Sequence, residues 1–298
     1  MDGQGADLLA SGLAFADLSP WRKIGVTGPD ARGWLNDLVS ADIGMLRKGL
    51  ARRSLLLSPT GLVRAEFTVA ARDEGFLLIQ DPIQPRAIDR LLAPYVLSSH
   101  VEMTDRTGEL VLLALPGLSD APQAQGAEVS MPSCLGSGLD LVVPNAAYQS
   151  LVSELSGRFR LAGQESLEAW RVNAGIPRLG VDVAEDDLPQ EAGFVDAVAF
   201  DKGCYLGQEA VAKVRNLGHP RRLVIPLEAD GPVSSGDPVR VEGRDAGLVT
   251  SVAALDGGHV ALARVRWDAR HGPFRTALGT ALRTRTPTRS TSARRSVQ

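Results

Sequence analysis

Residues 54–80, SLLLSPTGLVRAEFTVAARDEGFLLIQ, hold three apolar runs separated by Ser58-Pro59-Thr60-Gly61 and by Asp73-Glu74-Gly75. Proline presets one turn dihedral and glycine reaches backbone conformations that other residues avoid, so the three runs predict an antiparallel meander. Side chains alternate across a strand. In the middle run Val63, Ala65, Phe67 and Val69 therefore share one face, while Leu62, Arg64, Glu66 and Thr68 share the other. Glu66 is placed on a mixed, mostly polar face.

Around this meander the pattern alternates between strand and helix. KIGVTGPDARGWLNDLVSAD predicts a strand turning into a helix, with Gly-Pro at the start of the helix, where proline removes no needed hydrogen bond. Ile88, Leu91, Leu92, Tyr95 and Val96 fall at helical spacing interrupted by Pro94. GELVLLALPG reads as a strand, and its ending echoes KIGVTGPD, which points to two related α+β halves. LDLVVP predicts another strand, and AAYQSLVSELSGRF and QESLEAWRVNAG predict helices, the second stopping at Gly175. EAVAKVR fits a helix or a strand equally. Beyond Arg221, short β-rich runs cut by Asp-Gly and Gly-Gly pairs predict a small antiparallel barrel or sandwich. Val260 and Leu262 alternate in one phase and Val265 and Trp267 in the other, which predicts a bulge near Ala263.

This gives an α+β body over residues 1–220, divided near 105–120 into two intertwined halves, and a barrel over 221–270. Residues 271–298 carry six arginines and no acid among Thr and Ser, and are expected to be a disordered tail. Its arginines could touch nucleic acid, but no aromatic residue interleaves them to favour that contact. The net charge is −3; without the tail, 26 basic residues face 35 acidic ones, or −9.

With 298 residues, 44% hydrophobic and 22% charged, the chain is long enough for two or three domains. Cys134 and Cys204 stand 70 positions apart, and His100, His219, His259 and His271 are scattered singly, so neither a disulfide framework nor a metal-ligand set is written here. The first twenty residues hold no apolar run near the roughly 18 needed for a spanning helix. A cytoplasmic protein with no membrane contact is the expectation.

The stretch Lys202-Gly203-Cys204-Tyr205-Leu206-Gly207-Gln208-Glu209 closely resembles the signature of the YgfZ-type folate-binding proteins, relatives of the glycine cleavage T-protein (aminomethyltransferase). VTGPDARGWL, LLLSPTGLVRAEFTV, WRVNAGIPRLGVDV, LPQEAG, GLVTSV and ALARVR agree with it, and together they span about residues 15–270. The resemblance implies a T-protein-like folate-binding body followed by a β-barrel, with tetrahydrofolate or a one-carbon derivative held between the two halves. It implies an accessory protein for iron-sulfur enzymes, including tRNA-modifying ones, rather than a classical enzyme. Its partners would be those client enzymes or cluster-assembly proteins, which supply the cluster.

Three departures from the T-protein bear on chemistry. The T-protein carries a glutamate at Asn173, paired aspartates at Ala65 and Glu66, and acidic and aromatic residues at Cys204 and Tyr205. A pterin offers an amino group beside a ring N–H, a donor pair suited to a carboxylate. Asn173 brings no charge there, and Glu66 is one methylene longer than the aspartate it replaces. The implied ligand residues are Asn173, Arg171, Gln190, Glu191, Lys202 and Tyr205, with Cys204 as a working thiol and Glu66 as the remaining acid. Two alternatives stay open: a tetrahydrofolate-dependent aminomethyl- or methyltransferase, and a binding module in which Cys204 is only packed.

Overall fold

The computed structural model describes residues 2–97, 99–118, 127–255 and 257–286. Two five-stranded sheets form the body, and a closed six-stranded barrel follows. The meander forms as its turns predict: Ala51–Leu57, Val63–Ala71 and Phe76–Gln80 pair antiparallel in sequence order. Arg22–Thr27 and Glu102–Asp105 complete this sheet. The other sheet takes Ala14–Asp17 from before the meander and Leu110–Leu115, Val129–Pro132, Leu139–Pro144 and Arg160–Ala162 from after it. The two halves are thus interleaved along the chain.

Both faces of the meander sheet are covered. Ala70, Leu77 and Ile79 enter the cluster shared with the other half, while Val69, Phe76 and Leu78 pack under the helices Ala31–Leu38 and Ile88–Leu92. That two-sided burial explains why Phe76–Gln80 is buried at every position. The helix predicted through residue 96 ends as an α-helix at Leu92 and tightens into a 3₁₀ turn over Ala93–Tyr95, where Pro94 has no N–H to continue the α pattern. EAVAKVR resolves as part of the helix Gln208–Leu217.

Two expectations are corrected in the barrel. Phe274–Thr276 and Ala281–Thr284 are barrel strands, so order extends past residue 270. Phe274, Thr276 and Leu282 are buried; so few inward residues in a run of Arg and Thr leave a composition that looks like a tail. Residues 287–298 of the expected tail lie outside the described residues. The bulge expected near Ala263 is present, but the extra residue is on the neighbouring strand: the register shifts between Val249, opposite Ala263, and Ser251, opposite Leu262. Strand Gly258–Arg266 keeps a regular alternation: Val260 and Leu262 face the body, while Ala261, Ala263 and Val265 face the barrel interior. The apparent change of phase arose because Trp267 lies past the strand end, in the 3₁₀ turn Trp267–Ala269.

The helix Gln164–Asn173 ties body to barrel. It ends in a Schellman motif: Gly175 N–H donates to Val172 O and Ile176 N–H to Arg171 O, with Gly175 at φ 66°. The left-handed turn swings Ile176 and Pro177 back beside the helix, where they join the wall described next. No helix among the described residues is long and apolar enough to cross a membrane.

Candidate functional site

A cavity of about 720 Å³ opens between the two halves and the outer face of the barrel. Its apolar walls are Trp21, Leu135, Trp170, Ile176 and Pro177, closed on the barrel side by Val252 and Ala253. Glu66 projects into it from the meander's polar face, as the alternation predicts. At that point the pairing of Val63–Ala71 with Phe76–Gln80 has stopped, and the Gln84 side chain stands in for a strand. Gln84 Oε1 accepts from Glu66 N at 3.0 Å, and Gln84 Nε2 donates to Glu66 O at 2.6 Å.

Two ion-pair groups edge the cavity. Arg53 Nε donates to Glu66 Oε1 at 2.9 Å, and its Nη1 lies 3.5 Å from Asp196. The same guanidinium stacks 4.3 Å over the Phe194 ring. Arg178 reaches Asp81 at 2.5 Å and Glu168 at 3.6 Å. Ala65, the other position of the aspartate pair, is fully buried on the opposite face, so only position 66 addresses the cavity.

Asn173, the last residue of its helix, lines the cavity, and its Oδ1 accepts from Arg285 Nη1 at 2.7 Å. Arg171 also borders it but is consumed by protein contacts. Its Nε donates to Glu168, its Nη1 to Ile176 O at 2.6 Å and Asp182 at 2.7 Å, and its Nη2 to Ser251 at 2.7 Å and to Glu168. All five guanidinium donors are taken by protein acceptors, so Arg171 braces the helix against the barrel.

The remaining expected ligands lie elsewhere and serve the fold. Glu191 accepts from Leu188 N and Arg221 N, capping the helix Pro189–Ala192 and holding the barrel linker. Gln190 donates to Val211 O at 3.0 Å. Lys202 donates to the carbonyls of Asn36, Val39 and Ala41 at 2.6, 2.6 and 2.8 Å, closing the C-terminal end of the helix Ala31–Leu38. Burial brings this ammonium down to about 8, partly offset by Asp42 and Asp37. Tyr205 is buried in an apolar cluster with Leu57 and Val63, and its ring centroid lies 4.9 Å from Lys202 Nζ. None of these four lines the cavity.

Cys204 is exposed and also lies apart from the cavity lining. Its loop is anchored by Gly207, at φ 82°, where an added Cβ would stand 2.4 Å from Ser58 O. Gly207 begins the helix Gln208–Leu217, so the motif presents an exposed thiol just before a helix start on a loop pinned by Lys202, Tyr205 and Gly207. Cys134, by contrast, lines the cavity in the turn over residues 133–137, and burial, with the negative charge of Asp140, pushes its thiol well up.

The sequence reading missed Trp21, Arg53, Asp81, Cys134, Trp170 and Arg178 as wall residues. Trp170 had a legible signal, since it sits three residues before Asn173 and so shares its helix face. The others converge from distant segments with no local mark.

Two sheets with interleaved strands, a barrel docked on them and a cavity at their junction make up the architecture. The glycine cleavage system aminomethyltransferase T from Bartonella henselae superposes with a TM-score of 0.81 over 95% of this chain and 87% of that one, at 20% identity. Residues 6–125 match the family model described as the GCVT N-terminal domain. An aminomethyltransferase of Rubrobacter xylanophilus is 27% identical over 79% of this chain and 70% of its own length. The tRNA-modifying protein YgfZ of Edwardsiella ictaluri is 26% identical over 71% of this chain and 70% of its own. The chain therefore has the T-protein fold, matches the GCVT N-terminal domain over residues 6–125, and is similar in sequence to both aminomethyltransferases and YgfZ.

Proposed function

We propose that this protein binds tetrahydrofolate or a one-carbon derivative in the cavity and serves iron-sulfur enzymes, tRNA-modifying ones among them, as a folate-bound accessory protein. The observation that carries the reading is the cavity itself. Its volume falls within the roughly 300–1,000 Å³ of small-ligand sites, and it combines two indoles with carboxylate acceptors. The donor set fits the group: Glu66, Asp81 and Asp196 accept from N–H donors, while Trp21 and Trp170 offer flat apolar surface to aromatic rings. A bound reduced folate supplies or accepts a one-carbon unit at its ring nitrogens.

The wall residues bind and exclude water, and they are poorly equipped for aminomethyl transfer. Proton transfer at the reacting nitrogen calls for a carboxylate within hydrogen-bond reach and free to take the proton. Glu66 is held by Arg53 and Gln84, and Ala65 replaces the second acid. The exposed Cys204 stands apart from the folate cavity, as a group offered to a partner would.

Calorimetry with 5-formyltetrahydrofolate, read alongside tryptophan fluorescence, tests the ligand. The expected result is micromolar binding, about 8 kcal/mol, with a fluorescence change from Trp21 and Trp170. Absence of heat and of thermal shift with every reduced folate overturns it. In cells lacking the protein, tRNA methylthiolation should return with the wild-type chain and not with Cys204→Ser. Turnover in a reconstituted glycine cleavage system at the rate of a T-protein overturns the accessory role.

A further inference from the structure

Arg285 fixes which way the Asn173 amide points. An asparagine amide can be turned by half a rotation, exchanging a donor for an acceptor at the same place. Arginine only donates. The contact of Arg285 Nη1 at 2.7 Å therefore requires Oδ1 on that side, which turns Nδ2 away from Arg285. Among the described residues Nδ2 has no protein acceptor, and it is not a sealed, unpartnered atom. Asn173 lines the cavity, so the free N–H₂ is the polar group this residue offers there.

Arg285 differs in kind from the arginines on the cavity wall. Arg53, Arg171 and Arg178 each pair with a carboxylate. Arg285 has no carboxylate within 4 Å among the described residues, so its charge is directed at the Asn173 oxygen. An amide whose oxygen accepts from a cation is polarised, which strengthens its N–H as a donor. The barrel holds the cation in place: Arg285 N donates to Pro226 O at 3.1 Å, continuing the pairing of Leu227 with Thr284.

We propose that Arg285 is a positioning residue that makes Asn173 a hydrogen-bond donor to the ligand, selecting a carbonyl or carboxylate oxygen at this point of the cavity and disfavouring an N–H. The inference rests on the folate reading, and folates carry both kinds of group. It predicts the sign of one isosteric change. Asn173→Asp keeps the shape, and its carboxylate pairs with Arg285, so the fold is retained. It also puts an acceptor where the ligand's acceptor sits.

Affinity for 5-formyltetrahydrofolate should then fall at least tenfold by calorimetry, with the melting temperature at or above wild type. Arg285→Lys, also donor-only, should stay near wild type. Arg285→Met should weaken binding several-fold, because the amide is free to turn, and should shrink the penalty of Asn173→Asp. A residue that merely held the fold would not reverse preference in this way. If Asn173→Asp binds as well as wild type or better, Asn173 accepts from the ligand and the inference is overturned while the folate reading stands. If Arg285→Met binds like wild type, the positioning role is overturned. If the wild-type protein binds no reduced folate, the folate reading fails and this inference fails with it.

Discussion

Arg171→Met should cost the protein stability before it touches any ligand. The side chain of Asp182 is fully enclosed, and that of Arg171 is 8% exposed. Methionine fills most of the volume but strips Asp182 of its counter-charge, leaving Arg178 N, Thr250 and Ser251 as its hydrogen-bond donors. Removing one partner of such a pair costs about 3–5 kcal/mol. For a chain of this size that is a fall of roughly 10 °C in melting temperature. Asp182→Asn added to Arg171→Met should recover at least half of the loss, because a neutral amide no longer needs the guanidinium. Burial also pushes Glu168 up, but hydrogen bonding and charge from Arg171, with Arg178 behind it, outweigh burial and hold it low. Its share of stability is therefore full above the ordinary carboxylate range and lost as pH falls through the lowered value. Arg171→Met should flatten that acid-side slope. Differential scanning calorimetry across pH reads both effects. An Arg171→Met protein that melts with the wild type but no longer binds reduced folate would show that the guanidinium serves the ligand, contrary to its five protein contacts.

Gly207→Ala should destabilise by about 2 kcal/mol or more, combining left-handed strain with the collision at Ser58 O, while Gly203→Ala, with open space around it, should be near neutral in the same melt. Burial raises Asp140 to about 6, and its Oδ1 has no partner among the described residues. The native state then binds more protons than the unfolded one between about pH 4 and 6, so ionised Asp140 costs on the order of 3 kcal/mol at pH 7 and nothing below pH 4. Asp140→Asn keeps the acceptor for Cys134 N at 2.8 Å and should be the more stable protein at pH 7, with the gain vanishing toward pH 4; equal stability at both ends rejects the assignment. Iodoacetamide should label the exposed Cys204 well before Cys134, whose raised thiol slows alkylation, as mass spectrometry can read; Cys204→Ser should melt within about 0.5 kcal/mol of wild type.

What the sequence determined by itself was whatever depends on neighbours in the chain. The meander over residues 54–80, the Gly175 helix stop and the facing of Glu66 follow from period-two alternation and turn chemistry, which act over a few residues. The resemblance carried by KGCYLGQE and WRVNAG led to the right architecture. Which polar residues line the cavity was decided only by tertiary structure. Arg171, Glu191 and Lys202 look like binding residues in a line of letters, and each is engaged by protein contacts 3 to 166 positions away. Arg285 looked like part of a disordered tail, because a barrel-closing strand needs only a few buried side chains and the rest may be Arg and Thr. Burial, counter-charge and the direction of an amide are properties of what surrounds a side chain. In this protein the surroundings of Asn173 come from a barrel strand 112 residues further along the chain.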